Sequence, residues 1–353
     1  MPIEVLQSAD LASLAGFDAL IDVRSPAEFA HDHAPGAINL PVLSNEERAT
    51  VGTIYVQESR FTARRLGAAL IARNVAHHLE TALADKPGSF RPLIYCWRGG
   101  QRSHAMATIL AEVGWRTTVL AGGYHTWRRH VTERLYDGEL AVRPVLIDGM
   151  TGCGKTEVLT RLAARGAQVL DLEDLAAHRG SLFGALPGRR QPSQKMFESR
   201  LLGLVDALDP ARPVFVEAES SKIGERMLPP ALWKAMADAP CIVLTAEPDV
   251  RARYLAAAYA DIVQDRERLE ALLARLPTPP SRKRLAAWLE HVDAGRVEAL
   301  AQALMELHYD PSYRRSSRKN DRPRLGKIDM GGLQDADFER AADEVLRIVS
   351  GAG

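Results

Sequence analysis

Two short stretches carry residue types and spacings that could do chemistry. In Leu93-Ile-Tyr-Cys96-Trp-Arg98-Gly-Gly-Gln-Arg102-Ser103, a cysteine ends an apolar run, and glycines and arginines follow it. A strand that turns in this way into a helix aims several backbone N–H groups at one point, which favours an anion. Arg98 and Arg102 add positive charge. A thiolate at Cys96 would be stabilised there, as nucleophile or as carrier of a terminal sulfur or selenium anion. The second stretch, Gly149-Met-Thr-Gly152-Cys-Gly154-Lys155-Thr156, fits G-x-x-x-x-G-K-S/T. Gly149, Gly152 and Gly154 let backbone amides surround a phosphate, Lys155 supplies a point charge, and Thr156 could hold Mg²⁺, although no metal ligand is fixed by the sequence. Glu217 ends the apolar run Pro213-Val-Phe-Val216. It could orient a metal-bound water, act as a base, or simply cap a neighbouring helix. Asp171 to Asp174 and His178 to Ser181 could line the same crevice, as could Glu219 to Lys222. Arg251 and Arg253 could reach over the phosphates or face solvent. Cys153 reads as a residue small enough for its loop.

Both stretches need a strand before them and a helix after them, and the pattern supplies this. Apolar runs at Ala19–Val23, Ala37–Val42, Leu93–Cys96 and Thr117–Leu120 predict strands, with helices at Arg60–Ala84 and Arg102–Glu112. Strands alternating with helices imply an α/β protein with a parallel sheet. A polar segment, Tyr136 to Pro144, separates this from a second α/β pattern with strands at Val145–Asp148, Gln168–Leu170, Pro213–Val216 and Cys241–Leu244. Helical spacing then dominates at Arg266–Arg275, Arg282–His291 and Arg296–Leu307. A basic stretch from Arg314 to Lys327 follows. The expected domains are 1–138, carrying the cysteine, and 139–353, carrying the phosphate loop and a helical extension.

Composition bounds the function. Lys+Arg and Asp+Glu both number 45 in 353 residues, so bulk charge does not coat nucleic acid. No apolar run reaches the roughly 18 residues that span a bilayer, and the start does not read as a signal peptide. Three cysteines without a C-x-x-C pair argue against a disulfide framework or a zinc site. A cytoplasmic protein with free thiols is expected.

The cysteine loop resembles the rhodanese active-site loop, C-x-x-G-x-x-R. The stretch from Ile21 to Pro41, with Asp22, Arg24, Glu28, His33, Pro35, Gly36 and Asn39, is similar to the rhodanese D-x-R, E-F/Y and H-x-P-G-A-x-N pattern. Gly122-Gly123-Tyr-His-Thr-Trp127 resembles its G-G-x-x-x-W segment. Asp22, Arg24, Glu28 and His33 read as a structural polar network. A rhodanese-like parallel-sheet domain fused to a P-loop NTPase-like domain, with Cys-Trp-Arg-Gly-Gly in the loop and His178-Arg-Gly-Ser181-Leu-Phe-Gly184 beyond, resembles the bacterial tRNA 2-selenouridine synthase family.

That resemblance implies a selenotransferase acting on wobble 2-thiouridine (U34) of tRNAs for Lys, Glu and Gln. It implies geranyl diphosphate and selenophosphate as co-substrates. The sulfur would be geranylated first, with the diphosphate in the phosphate loop. Cys96 would then carry selenium as a selenosulfide anion, with Arg98 and Arg102 binding selenophosphate. Candidate tRNA contacts are Arg128 and Arg129, and Arg314, Arg315, Arg318 and Lys319 with Tyr309 and Tyr313 beside them. No protein partner is implied, and a monomer is the default. Two rivals remain. One is an ATP-dependent rhodanese-type sulfurtransferase acting on tRNA. The other is a phosphate-responsive module with a redox-sensing cysteine.

Overall fold

The computed structural model describes residues 2–351, apart from 182, 219, 277–278 and 318–321. The chain divides into two compact units, Met1–Gly138 with Pro192–Asp206, and Glu139–Gln191 with Ala207–Gly353.

The first unit is built on five parallel strands: β1 (Glu4–Leu6), β2 (Ala19–Asp22), β3 (Ala37–Asn39), β4 (Pro92–Tyr95) and β5 (Thr118–Leu120), in the order β1-β5-β4-β2-β3. Ile21, Leu93, Ile94 and Tyr95 have no exposed surface. Continuous apolar runs are what a sheet covered on both faces requires. β4 delivers Cys96 to the turn before helix α1 (Gln101–Val113), and β5 leads to helix α2 (Tyr124–Thr132). The long helix Arg60–Glu80 starts as its spacing predicts and stops four residues earlier. It buries Ala63, Gly67, Ile71 and Val75, one every turn.

The helix Gln194–Asp206 also belongs to this unit, so a division of the chain at a single point leaves it on the wrong side. The reason lies in α2. Trp127 is fully buried, and its indole N–H donates to Ser199 Oγ at 3.0 Å. Tyr136 donates to Glu198 Oε1 at 2.6 Å, and Arg128 pairs with the same carboxylate. Buried polar groups must find partners, and these lie some seventy positions away in sequence.

The second unit carries a parallel sheet in the order β12-β11-β6-β8-β7. Its strands are β6 (Arg143–Gly149), β7 (Gln168–Leu170), β8 (Pro213–Glu217), β11 (Cys241–Thr245) and β12 (Arg324–Asp329); β9 (Lys222–Ile223) and β10 (Arg226–Met227) form a separate antiparallel ribbon. Helix α3 (Lys155–Ala164) follows β6, and α4 (Pro248–Ala258) follows β11. Then come the helices Arg266–Ala274 and Arg282–Asp293, α5 (Val297–Leu304), a π-helical turn Met305–Tyr309 and α6 (Asp310–Ser317). They share a small core that includes Ile262, Leu269, Leu273, Trp288 and Leu300.

Part of the stretch expected as a basic segment is a strand instead. β12 pairs with β11 at the sheet edge, with Ile328 buried and Arg324 and Lys327 on the strand. Charged residues on an edge strand discourage pairing with other chains, and they mask the strand in a search for apolar runs. Helix α7 (Asp335–Gly351) then packs Phe338, Ala341, Ala342 and Val345 into the core. Among the described residues no helix is long and apolar enough to cross a membrane.

Candidate active sites

The first site lies in the turn between β4 and α1. Cys96 is 3% exposed. Its sulfur accepts from the Gly100 amide at 3.2 Å and from Ser103 Oγ at 3.2 Å. Burial raises the thiol pKa, but Ser103, Arg102 and the Arg98 backbone N–H outweigh it and bring the thiol below its ordinary value. Arg98 contributes a backbone N–H to the thiol, and its side chain is exposed. Arg102 is held by Glu28, with contacts of 2.7 and 3.3 Å. Burial also raises the Glu28 carboxyl, and Arg102 brings it below the usual range. The Arg102 guanidinium is engaged by Glu28 and its charge favours the thiolate. The Ser103 hydroxyl is a donor that the motif alone does not mark, and its place in the first turn of α1 after Gly100 is the one signal for it in the sequence.

The network expected beneath the loop is present. Arg24 grips Asp22 with contacts of 2.6 to 3.0 Å and lies 4.0 Å from the Tyr124 ring centroid. Trp97 stacks on Tyr124 at 5.1 Å. His33 stacks on Phe29 and contacts the Phe29 carbonyl at 2.9 Å, away from the thiol's partners. The Gly122-Gly123 turn braces the cysteine loop: the Tyr124 amide donates to the Cys96 carbonyl at 2.8 Å and the His125 amide to that of Trp97 at 3.2 Å.

The second site lies beyond the carboxyl end of β6, where ligands bind in open parallel sheets. Gly149, Gly152 and Gly154 all have positive φ. A Cβ on Gly149 would meet the Leu244 carbonyl of the adjacent strand at 2.7 Å. Lys155 Nζ lies 3.2 Å from the Gly149 carbonyl and 3.4 Å from Glu217 Oε1. Thr156 Oγ1 lies 3.1 Å from Glu217 Oε2 and 3.5 Å from Glu173 Oε2. These hard oxygen donors suit Mg²⁺, although no cluster of three or more His, Cys, Asp or Glu ligands occurs among the described residues. The cleft measures about 550 Å³ and is also lined by Arg179, Ser181, Tyr254, Tyr259, Tyr309 and Tyr313. Burial raises the Cys153 thiol, and Lys155 offsets this only in part. Asp171 caps the helix Leu172–Ala176 by accepting from the Asp174 amide.

Other expected contacts are placed differently. Arg251 is buried against Asp310 at 2.7 Å and against the sulfurs of Met150 and Met305. Arg253 pairs along its own helix with Asp249 at 3.0 Å. Arg251 thus touches the phosphate loop at Met150 with its guanidinium engaged by Asp310. Arg128 is committed to Glu198 and lies 3.7 Å from Asp32, so it is not an exposed tRNA contact. Arg129 is exposed. Tyr309 and Tyr313 line the phosphate cleft, and Tyr313 donates to Asp148 at 3.1 Å, so they do not form an outer stacking surface. Arg314 and Arg315 are exposed on α6. Arg318 and Lys319 lie outside the described residues.

Residues 7–130 match the rhodanese-like domain family, and residues 142–275 match the tRNA 2-selenouridine synthase AAA domain family. With the thiol and phosphate loop where they are, this is a rhodanese module joined to a P-loop module. The chain is 37% identical over 252 residues to the tRNA 2-selenouridine synthase of Aeromonas salmonicida, covering 70% of this chain and 67% of that protein. It is 36% identical over 252 residues to that of a Sulfurovum species, covering 70% and 68%. It is 39% identical over 230 residues to that of Salmonella typhi, covering 64% and 61%. A solved rhodanese-related protein from Thermoplasma volcanium aligns with 36% of this chain and 92% of its own at 17% identity, with a TM-score of 0.24. The chain belongs to the tRNA 2-selenouridine synthase family.

Proposed function

We propose that this protein replaces the sulfur of 2-thiouridine at the wobble position (U34) of tRNAs for Lys, Glu and Gln with selenium, through a geranylated intermediate. In the first step the thiocarbonyl sulfur attacks C1 of geranyl diphosphate, the C1–O bond breaks, inorganic diphosphate leaves, and the N3 proton of the base passes to solvent. Lys155 and the loop amides stabilise the departing oxygens, a contribution of about 10²–10³-fold per donor in comparable sites. Thr156, with Glu217 and Glu173, would hold Mg²⁺, which supplies further positive charge to the diphosphate. Alkylation makes the sulfur a better leaving group and C2 of the base more electrophilic.

In the second step selenophosphate is hydrolysed to selenide and phosphate. The selenide displaces the thiol from a mixed disulfide of Cys96 with an external thiol to give the Cys96 selenosulfide anion, and this anion attacks C2 as geranylthiolate departs. This leaves a Cys96–S–Se–C2 linkage; an external thiol attacks the Cys96 sulfur, the selenocarbonyl is released with a proton on N3, and Cys96 returns to the mixed disulfide that the next selenide displaces. The observation that carries the reading is the buried Cys96 sulfur, held by Gly100 and Ser103 with its thiol pKa lowered, in the same chain as a phosphate loop.

The test is mass spectrometry of nucleosides after incubation with 2-thiouridine-containing tRNA and a thiol together with its disulfide. Geranyl diphosphate alone should give the geranylated base, and adding selenophosphate should give 2-selenouridine. Cys96→Ala should stop at the geranylated base, and Lys155→Ala should lose geranylation by about 100-fold or more. Modification only with ATP and a sulfur donor would replace this reading with the sulfurtransferase.

A further inference from the structure

The phosphate cleft adjoins a second, smaller cavity of about 70 Å³. Thr151, Ser181, Leu255, Tyr259 and Tyr309 line both spaces, and the boundary they form is called the neck. Ser181 Oγ lies 3.2 Å from the Tyr259 hydroxyl, so these two neck hydroxyls satisfy one another. Beyond the neck every lining side chain is apolar, Ile262, Leu300, Ala301 and Leu304 among them. A nucleobase placed there would leave its hydrogen-bonding edges unpaired, which is costly in a buried site. A hydrocarbon has no such edges.

We propose that this cavity holds the hydrocarbon tail of an allylic diphosphate whose head sits in the phosphate loop, and that it sets the chain length accepted. The inference rests on the geranyl diphosphate reading above and adds where the tail lies and what limits it. At about 10–15 Å³ for each water-sized group, the cavity encloses about five to seven such groups. The tail of a ten-carbon chain is accommodated once its first carbons occupy the neck; a fifteen-carbon chain overfills the space. Burying about five methylene-sized groups corresponds to an affinity gain of about 10³-fold over inorganic diphosphate (about 4 kcal/mol).

The test is calorimetric titration of the full chain, with magnesium chloride present, by inorganic, dimethylallyl, geranyl and farnesyl diphosphates and by ATP. Affinity should rise stepwise to geranyl diphosphate and gain nothing at farnesyl. Ala301→Phe on α5 fills the cavity and should cut geranyl diphosphate binding by at least about 30-fold. Its affinity for inorganic diphosphate should stay within about twofold, which also shows that the variant is folded. Ala256→Phe fills the cavity from α4 and should behave alike, so either variant decides if the other misfolds. If both variants keep the geranyl advantage, the tail lies elsewhere and the proposal falls while the geranyl reading stands. If the wild type binds geranyl diphosphate no more tightly than inorganic diphosphate, and ATP more tightly than both, the geranyl reading itself falls.

Discussion

Cys96, Cys153 and Cys241 are all buried, yet their thiols differ. Burial raises Cys153 and Cys241, and nearby cations offset it only in part. At Cys96 the Ser103 hydroxyl, the loop amides and Arg102 reverse the sign. A thiol whose pKa is lowered is ionised at lower pH, so its reaction with iodoacetamide should level off below the ordinary value of a free thiol. Peptide mapping should find Cys96 labelled first. In Arg102→Gln the midpoint should move up, because a positive charge that favours the thiolate is gone. A wild-type midpoint at or above about 8.5 would show that the loop does not activate the cysteine.

At the scale of the element, the cysteine loop is held in place by a second turn. Gly123 has φ 58° and ψ −139°, a region almost confined to glycine. A Cβ there would collide with the Cys96 carbonyl and come within 2.6 Å of the Gly99 amide nitrogen. Both obstacles are backbone and cannot swing aside as a side chain could. Gly123→Ala should therefore cost about 1–3 kcal/mol from backbone strain alone. It should also displace Cys96, so that selenation is lost while geranylation persists. Melting curves and the nucleoside assay would check this, and an unchanged selenation rate would mean that the loop does not depend on the turn. The glycine pair was legible in the sequence as part of a motif. The collision that makes it necessary was not, because it involves a strand end and a turn about 25 residues apart.

At the scale of the whole molecule, the chain returns to its first unit after the phosphate-loop unit has begun. Glu198 is 3% exposed and receives Arg128, Tyr136 and Gln194. Glu198→Ala would leave a largely buried arginine with the Lys195 carbonyl at 3.3 Å and Asp32 at 3.7 Å, and no carboxylate in direct contact. Breaking a buried pair in this way costs about 3 kcal/mol at the lower end of the usual range. The midpoint for unfolding of this unit should fall by about 6–12 °C, measured by differential scanning calorimetry. A shift below about 1 °C would show that the helix Gln194–Asp206 contributes little to it.

The sequence alone determined the chemistry that local spacing encodes. A cysteine before a glycine turn and a helix start, and a G-x-x-x-x-G-K-S/T run after an apolar strand, are backbone devices built from consecutive residues, so linear order is enough to see them. The buried strands β2, β4, β6, β8 and β11 were legible for the same reason: parallel strands covered on both faces are runs of apolar side chains. Tertiary structure decided the rest. It committed Arg102 to Glu28 and Arg128 to Glu198, buried Arg251 against Asp310, and turned Tyr309 and Tyr313 toward the phosphate cleft. It also made an edge strand of a charged segment. Charged and aromatic side chains find partners across long separations, and whether an arginine faces solvent or a buried carboxylate depends on contacts that no local pattern records.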